Sequence, residues 1–315
     1  MIKILYAAII ILVLLAAALA LSLVCYKMAF VVPDQSNEDV HKTLSGSQYD
    51  ALKSEINTLI DEALALPFEE VKITSFDGLK LYGRLYFVSE TAPVDILFHG
   101  YKSMAIRDFS GGMISNIDRG HNVILVDERA HGKSEGKCLT FGVLERYDCL
   151  EWARYASLRF PKSDIFLFGL SMGAATVLMA SDLNLPESVV GIVADCGYST
   201  PKKIIKKVIR EMKLPPDLAY PFVWLGGRIF GNFSLSSSDS LRSLKNTKLP
   251  VLLIHGDDDR FVPYEMSLEN KEACASEISL LTVKNAGHGL SYLVDKEAYI
   301  SAVDAFCEKH QKHKE

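Results

Sequence analysis

The sequence predicts an α/β protein: a mainly parallel central sheet with helices on both faces, a helical insertion late in the chain and a transmembrane helix at its start. Three observations predict it. Short apolar runs recur along the chain, stretches long enough for crossover helices separate most of them, and residues 4–25 carry no charge. Apolar runs alternating with helices suit a parallel sheet, whose strands are buried on both faces and lose the in–out alternation of an exposed sheet. The 315 residues hold ample apolar material for a buried core beyond the N-terminus. A net charge of −5 gives the whole molecule no attraction for nucleic acid.

The elements follow in order. Residues 4–25 rise about 33 Å as a helix, enough to cross the hydrocarbon core of a bilayer. A cleavable signal peptide competes, since Ala18-Leu19-Ala20 has the small-x-small pattern of a cleavage site. Its apolar region would be only about 7–15 residues long, so the expectation is an uncleaved anchor. Lys3 and the amino terminus nearly balance Lys27 and Lys42 across the span. A short cytoplasmic N-terminus and an external folded domain are expected. Residues 33–48 are polar and read as a tether. Leu52, Ile56, Leu59, Ile60 and Ala63 then fall at helical spacing and predict a helix docked on the domain.

Strand-like runs at residues 71–75 and 79–88 flank Asp77-Gly78, a hairpin signal. Others follow at 94–98, 123–126, 165–168, 189–194, 251–254 and 278–283, with helix-compatible stretches at 143–159, 172–182 and 264–275. In such sheets the active residues sit in loops beyond the carboxyl ends of the strands. Residues 200–248 are too many for a simple connection and are expected to form a lid. The cysteines, Cys25, Cys138, Cys149, Cys196, Cys274 and Cys307, show neither a C-x-x-C pair nor a zinc spacing. No metal or cofactor is expected.

Gly169-Leu170-Ser171-Met172-Gly173 follows one strand directly and is followed by a helix-compatible run. Strand, tight turn, helix is the setting of a nucleophile elbow, with Gly169 and Gly173 leaving room for the turn and Ser171 lifted above the sheet. A serine hydroxyl needs a base. Of eight histidines, His41 lies in the tether and His310 and His313 in a charged tail. His288, in Asn285-Ala286-Gly287-His288-Gly289, lies just past the last strand, where flanking glycines let a loop present an imidazole. A carboxylate must orient that base, and Asp257, Asp258 and Asp259 are candidates. A calcium role for the three is disfavoured, because EF-hand spacing is absent.

The stretch from His255 to Pro263 resembles the HG-x-x-D-x-x-VP signature of α/β-hydrolases, and the chain order Ser171, acid, His288 is that family's order. The resemblance covers roughly residues 71–306. It implies the α/β-hydrolase fold with a Ser171, Asp259, His288 triad. Phe98-His99-Gly100-Tyr101 is similar to the family's HG-x motif, which implies a Tyr101 N–H in the oxyanion hole beside that of Met172, the residue after the nucleophile. Residues 127–134 resemble its D-x-R-G-x-G-x-S stretch, with Ala130 in place of the first glycine. The chain looks most like bacterial membrane-anchored hydrolases of the serine aminopeptidase and monoacylglycerol lipase-like branch. The expected division is an anchor over 1–27, a tether and docking helix over 28–66, and a hydrolase domain over 67–315 with its lid at about 200–248.

The resemblance implies cleavage of a carboxylic ester, lipid-like esters among them, through an acyl-enzyme. The expected partners are a small-molecule ester or acyl substrate and a membrane. A peptidase of the same fold and a non-catalytic membrane-tethered binding protein are the alternatives. A haloalkane dehalogenase would carry a carboxylate where Ser171 stands. The lid's basic amphipathic run, residues 201–210, precedes Tyr220, Phe222, Trp224, Leu225, Ile229 and Phe230. It reads as a cap near anionic lipid that lines a site for acyl chains, or, more plainly, as a solvated charged face over ordinary packing.

Overall fold

The computed structural model describes residues 1–35, 38–42 and 46–312. Helix α1 (Ile2–Phe30) and α2 (Ser47–Ala65) precede the hairpin β1 (Glu69–Thr74) and β2 (Lys80–Tyr86). Then come β3 (Val94–Phe98), α3 (Ala105–Asp118), β4 (Asn122–Val126), α4 (Glu145–Arg159), β5 (Ile165–Leu170), α5 (Met172–Ala180) and β6 (Val189–Asp195). The insertion carries α6 (Pro201–Glu211), α7 (Pro216–Phe230) and α8 (Ser240–Leu244). The chain closes with β7 (Val251–Gly256), α9 (Glu265–Ala273), β8 (Ile278–Val283), α10 (Ser291–Val294) and α11 (Lys296–His310).

The eight strands form one sheet in the order β1-β2-β4-β3-β5-β6-β7-β8. β2 runs antiparallel to both its neighbours, and the six strands from β4 onwards in that order are mutually parallel. Every residue of β3, β4, β6 and β7 is buried, as the apolar runs require. One face of the sheet packs with α4 and α5 through Trp152, Ala156, Val177 and Leu178. The other packs with α3 and α11 through Phe109, Met113, Val303 and Phe306.

Two helices depart from the sequence reading. Helix α3 contains Gly111-Gly112, a breaker signal. Gly111 is used for close packing, because a Cβ there would lie 2.4 Å from the Tyr292 ring. Helix α11 occupies what reads as a charged tail; its buried face is Val303, Phe306 and Cys307, and the His310 ring meets Phe306 at a tilt. His313 lies outside the described residues, as do parts of the expected tether.

Helix α1 is long and apolar enough to cross a membrane. It runs unbroken to Phe30, three residues past the expected anchor, and its last turns are part of the folded domain. Ser22, Tyr26 and Phe30 are buried, and Phe30 has no exposed surface. Phe30 meets Phe141 and Phe233 edge-on, within a cluster shared by α5, α6 and α7. Burying one such ring contributes about 1.5–3 kcal/mol. Beyond it, Gln35 spans two loops: its Nε2 donates to the Ser103 carbonyl (3.1 Å) and its Oε1 accepts from the Gly132 N–H (3.1 Å).

Candidate active site

The strand-to-helix turn after β5 leaves Ser171 at φ 55° and ψ −109°, a left-handed conformation disfavoured for a residue with a Cβ. The surroundings hold it there. A Cβ on Gly173 would lie 1.8 Å from the Phe98 carbonyl oxygen, and one on Gly169 would lie 2.3 Å from the Gly173 backbone. Both elbow glycines are thus required by close backbone approach. The Ser171 N–H donates to the Asp195 carbonyl (2.9 Å), which ties the turn to the end of β6.

His288 Nε2 lies 2.9 Å from Ser171 Oγ, and its Nδ1 lies 2.7 Å from Asp259 Oδ2. The structure therefore brings together Ser171, His288 and Asp259 from loops after β5, β8 and β7. Asp257 and Asp258 turn elsewhere: Asp257 accepts from the Asn285 N–H, and Asp258 accepts from Gln48 and Arg260. Asp259 Oδ1 accepts the N–H groups of Phe261 and Val262, each at 2.8 Å. Burial acts to raise this carboxyl, but hydrogen bonds from His255 and His288 outweigh it and hold it well below the usual carboxylate range. His255 Nε2 lies 2.9 Å from the Val262 carbonyl and 3.2 Å from Asp259 Oδ2. Both neighbours are acceptors, so that nitrogen carries a proton.

Three supporting residues carry no short motif. Tyr49 Oη donates to the His288 carbonyl (2.6 Å), fixing the histidine loop from α2. Asp108, on α3, accepts from the Gly100 N–H (2.7 Å) and from Ser103 Oγ (2.5 Å), bracing the loop after β3. Asp195 accepts from Ser291 Oγ (3.2 Å); burial pushes its carboxyl up to about 7, against the pull of His255 and His288. The first turn of an unrecognised helix and a polar stretch near the N-terminus gave no signal for Asp108 or Tyr49.

The loop after β3 passes beside Ser171, with a Cβ built on Gly100 lying 3.5 Å from Ser171 Cβ. Among the described residues neither the Tyr101 N–H nor the Met172 N–H has a protein acceptor. The Tyr101 side chain turns away and donates from Oη to the Ala29 carbonyl (2.8 Å), while Lys102 Nζ donates to the Met28 carbonyl (2.8 Å). The last turn of α1 thus grips this loop.

A cavity of about 830 Å³ opens over Ser171 and His288, lined by Tyr49, Tyr101, Phe109, Phe261, Tyr292 and Leu293 among others. Its walls come from α2, α3 and the strand-end loops. None of the described residues lining it belongs to 200–248, so Tyr220, Phe222 and Trp224 do not line this cavity. Three of the four lysines on α6 are paired, Lys203 with Glu269, Lys206 with Asp217 and Lys207 with Glu211. This matches the charged-face reading of that helix.

Cys196 Sγ lies close to Asp259 and His288. Burial raises its thiol well above the ordinary value. The loop after β4 is scaffold. Arg129 makes two hydrogen bonds to Asp148 (2.6 and 2.7 Å) and reaches Asp77, all beneath the sheet edge. Ala130 takes φ 65°, the conformation the resembling glycine would adopt.

The model of the alpha/beta hydrolase fold matches residues 96–237, and that of the TAP-like proteins matches residues 234–314. The chain belongs to the α/β-hydrolase superfamily. Within it, YqkD of Bacillus subtilis is 26% identical over 303 residues, 93% of this chain and 94% of that one. Protein bem46 of Schizosaccharomyces pombe is 24% identical over 63% of this chain and 62% of its own length. Among solved structures the Pyrococcus furiosus esterase Pf2001 superposes with a TM-score of 0.64 at 23% identity, covering 89% of this hydrolase and 98% of the esterase.

Proposed function

We propose that this hydrolase is a serine esterase of the membrane-anchored, serine aminopeptidase-like branch, cleaving a small carboxylic ester. The observation that carries the reading is the continuous relay from Asp259 through His288 to a strained, half-enclosed Ser171. His288 Nε2 takes the proton of Ser171 as its Oγ bonds to the carbonyl carbon. Asp259 stays ionised and steadies the imidazolium through Nδ1. The Tyr101 and Met172 N–H groups receive the oxyanion at the N-terminus of α5, where the helix dipole adds to them. The tetrahedral intermediate collapses, the alcohol leaves with the proton from His288, and an acyl-Ser171 ester remains. Water, deprotonated by His288, attacks that ester, releases the acid and restores Ser171.

Three of the four described Lys and Arg side chains that line the cavity are already engaged. Arg107 is engaged by Glu38 and the Asp39 and Val40 carbonyls, Lys102 by Met28 and Arg260 by Asp258. The fourth, Lys42, is exposed at the cavity, so the ester reading rests on the relay at Ser171 and a peptidase of the same fold stays the alternative. On the same reading α1 is an uncleaved anchor that keeps the catalytic domain outside the cytoplasm, which protease treatment of intact cells checks.

The test is fluorophosphonate labelling of the full chain in detergent, beside Ser171→Ala, with hydrolysis of short and medium p-nitrophenyl esters. Labelling and turnover that vanish in the variant are the expected result. A folded chain that neither labels nor turns over would overturn the reading.

A further inference from the structure

We propose that α7 lies in the surface of the bilayer that α1 crosses, so that the insertion rests on the membrane instead of arching over Ser171. The proposal rests on the anchor reading of α1 and concerns a surface, not the cavity.

The 29 residues of α1 rise about 43 Å, whereas a hydrocarbon core of about 30 Å takes roughly 20 residues. With the uncharged stretch ending at Cys25, Ser22 to Phe30 lie at the membrane boundary. Those turns are where α7 packs. A Cβ on Gly226 would lie 2.5 Å from the Ser22 carbonyl oxygen and 3.1 Å from Tyr26, and one on Gly227 would lie 3.5 Å from Phe30. Phe230 meets Tyr26 with ring centres 5.8 Å apart. Small residues that let two backbones approach closely are how helices associate where lipid surrounds them. The contact sets the depth of α7 at the level of Ser22 and Tyr26.

At 100° per residue, Val223, Gly226, Gly227 and Phe230 form the α7 face turned to α1. About a third of a turn round from it, Leu218, Phe222, Leu225 and Ile229 form an unbroken apolar ridge. Leu218 is 71% exposed and Ile229 49% exposed. Just before the helix, Met212 and Leu214 are each 47% exposed. Charged Asp217 and Arg228 fall on the far side of that ridge, with Trp224 behind them. An apolar ridge beside a lipid-crossing helix, at the depth where that helix leaves the hydrocarbon, fits the acyl–headgroup boundary of the same bilayer.

The experiment places tryptophan on the ridge. Leu218→Trp and Ile229→Trp change exposed positions, and their emission is read as the difference from the wild-type chain, which carries Trp152 in the core and Trp224 on the opposite side of α7. The full chain is reconstituted in phosphatidylcholine–phosphatidylglycerol vesicles, with or without bromine near the headgroup end of the acyl chains. Flotation shows membrane attachment independently. For side chains seated about 5–10 Å into the boundary, the added emission falls by about half or more in brominated vesicles, while Trp224 loses less. A chain that floats but whose added tryptophans are quenched no more than Trp224 overturns the proposal alone. A chain that does not float overturns the anchor reading and this proposal with it.

Discussion

On the Ser171 side of the cavity, Ser171, Asp259 and His288 each sit within a few residues of a strand end, on turns braced by nearby backbone, with Tyr49 of α2 added at His288. Asp259, for example, accepts the N–H groups two and three residues ahead of it. On the α1 side, the loop bearing Tyr101 is held by carbonyls about seventy residues earlier, at Met28 and Ala29, and by Gln35. The first wall is made of local turns on a rigid sheet. The second is a three-way contact between α1, the Tyr101 loop and the insertion. Chemistry can be removed from the first without disturbing the fold, whereas a change in the second moves packing and oxyanion geometry together.

The largest effect expected of this contrast is on turnover alone. His288→Ala should lower kcat by about 10⁴-fold or more while the thermal midpoint changes little, since the ring is at the edge of the cavity. Ester hydrolysis beside a melting curve checks both halves. A large fall in the midpoint would erase the distinction between the walls. Next comes Phe30→Ala, which removes a fully buried ring and should cost about 3–5 kcal/mol in denaturant unfolding, with kcat falling as well. If turnover is retained at full stability loss, α1 supports the fold but not the Tyr101 loop.

A third prediction concerns pH. The folded-state pKa of Asp195 is raised to about 7 by burial, above its unfolded value of about 4. An acid raised in this way favours the folded state in its protonated form, so its contribution is full below the unfolded value and is lost as pH rises towards about 7. Asp195→Asn should therefore flatten the decline in stability between about pH 4 and 7, seen by unfolding at both ends. Tyr49→Phe sharpens the contrast from the Ser171 side: losing the hydrogen bond to the His288 carbonyl should reduce kcat several-fold and stability by about 0.5–1.5 kcal/mol. The smallest change expected is Ala130→Gly, which relieves a positive φ but adds chain entropy, leaving stability within about 1 kcal/mol.

What could be read in advance follows the same division. The sheet was legible because buried parallel strands must be apolar throughout, and the elbow because Gly169 and Gly173 face backbone, where no side chain fits. The choice of Asp259 among three adjacent aspartates came from the family resemblance; in the structure it is the one beside His288, while its neighbours face Asn285, Gln48 and Arg260. Helix α3 was hidden by Gly111-Gly112, and Asp108 with it. Tyr49 and the grip of α1 on Tyr101 were illegible for a different reason. They join segments whose sequences carry no mark of one another, and only the folded chain brings them within a hydrogen bond.

Because α1 packs on the domain through Phe30, and Gln35 and residues 38–40 are bonded to it, these described residues act as a strap and not as a leash. A free coil the length of residues 33–48 would let its cargo wander about 20–24 Å. With α1 in a bilayer, Ser171 is instead carried at one altitude and one heading. The molecule then searches a plane, and what it meets is decided by what drifts along that membrane at the height of its cavity.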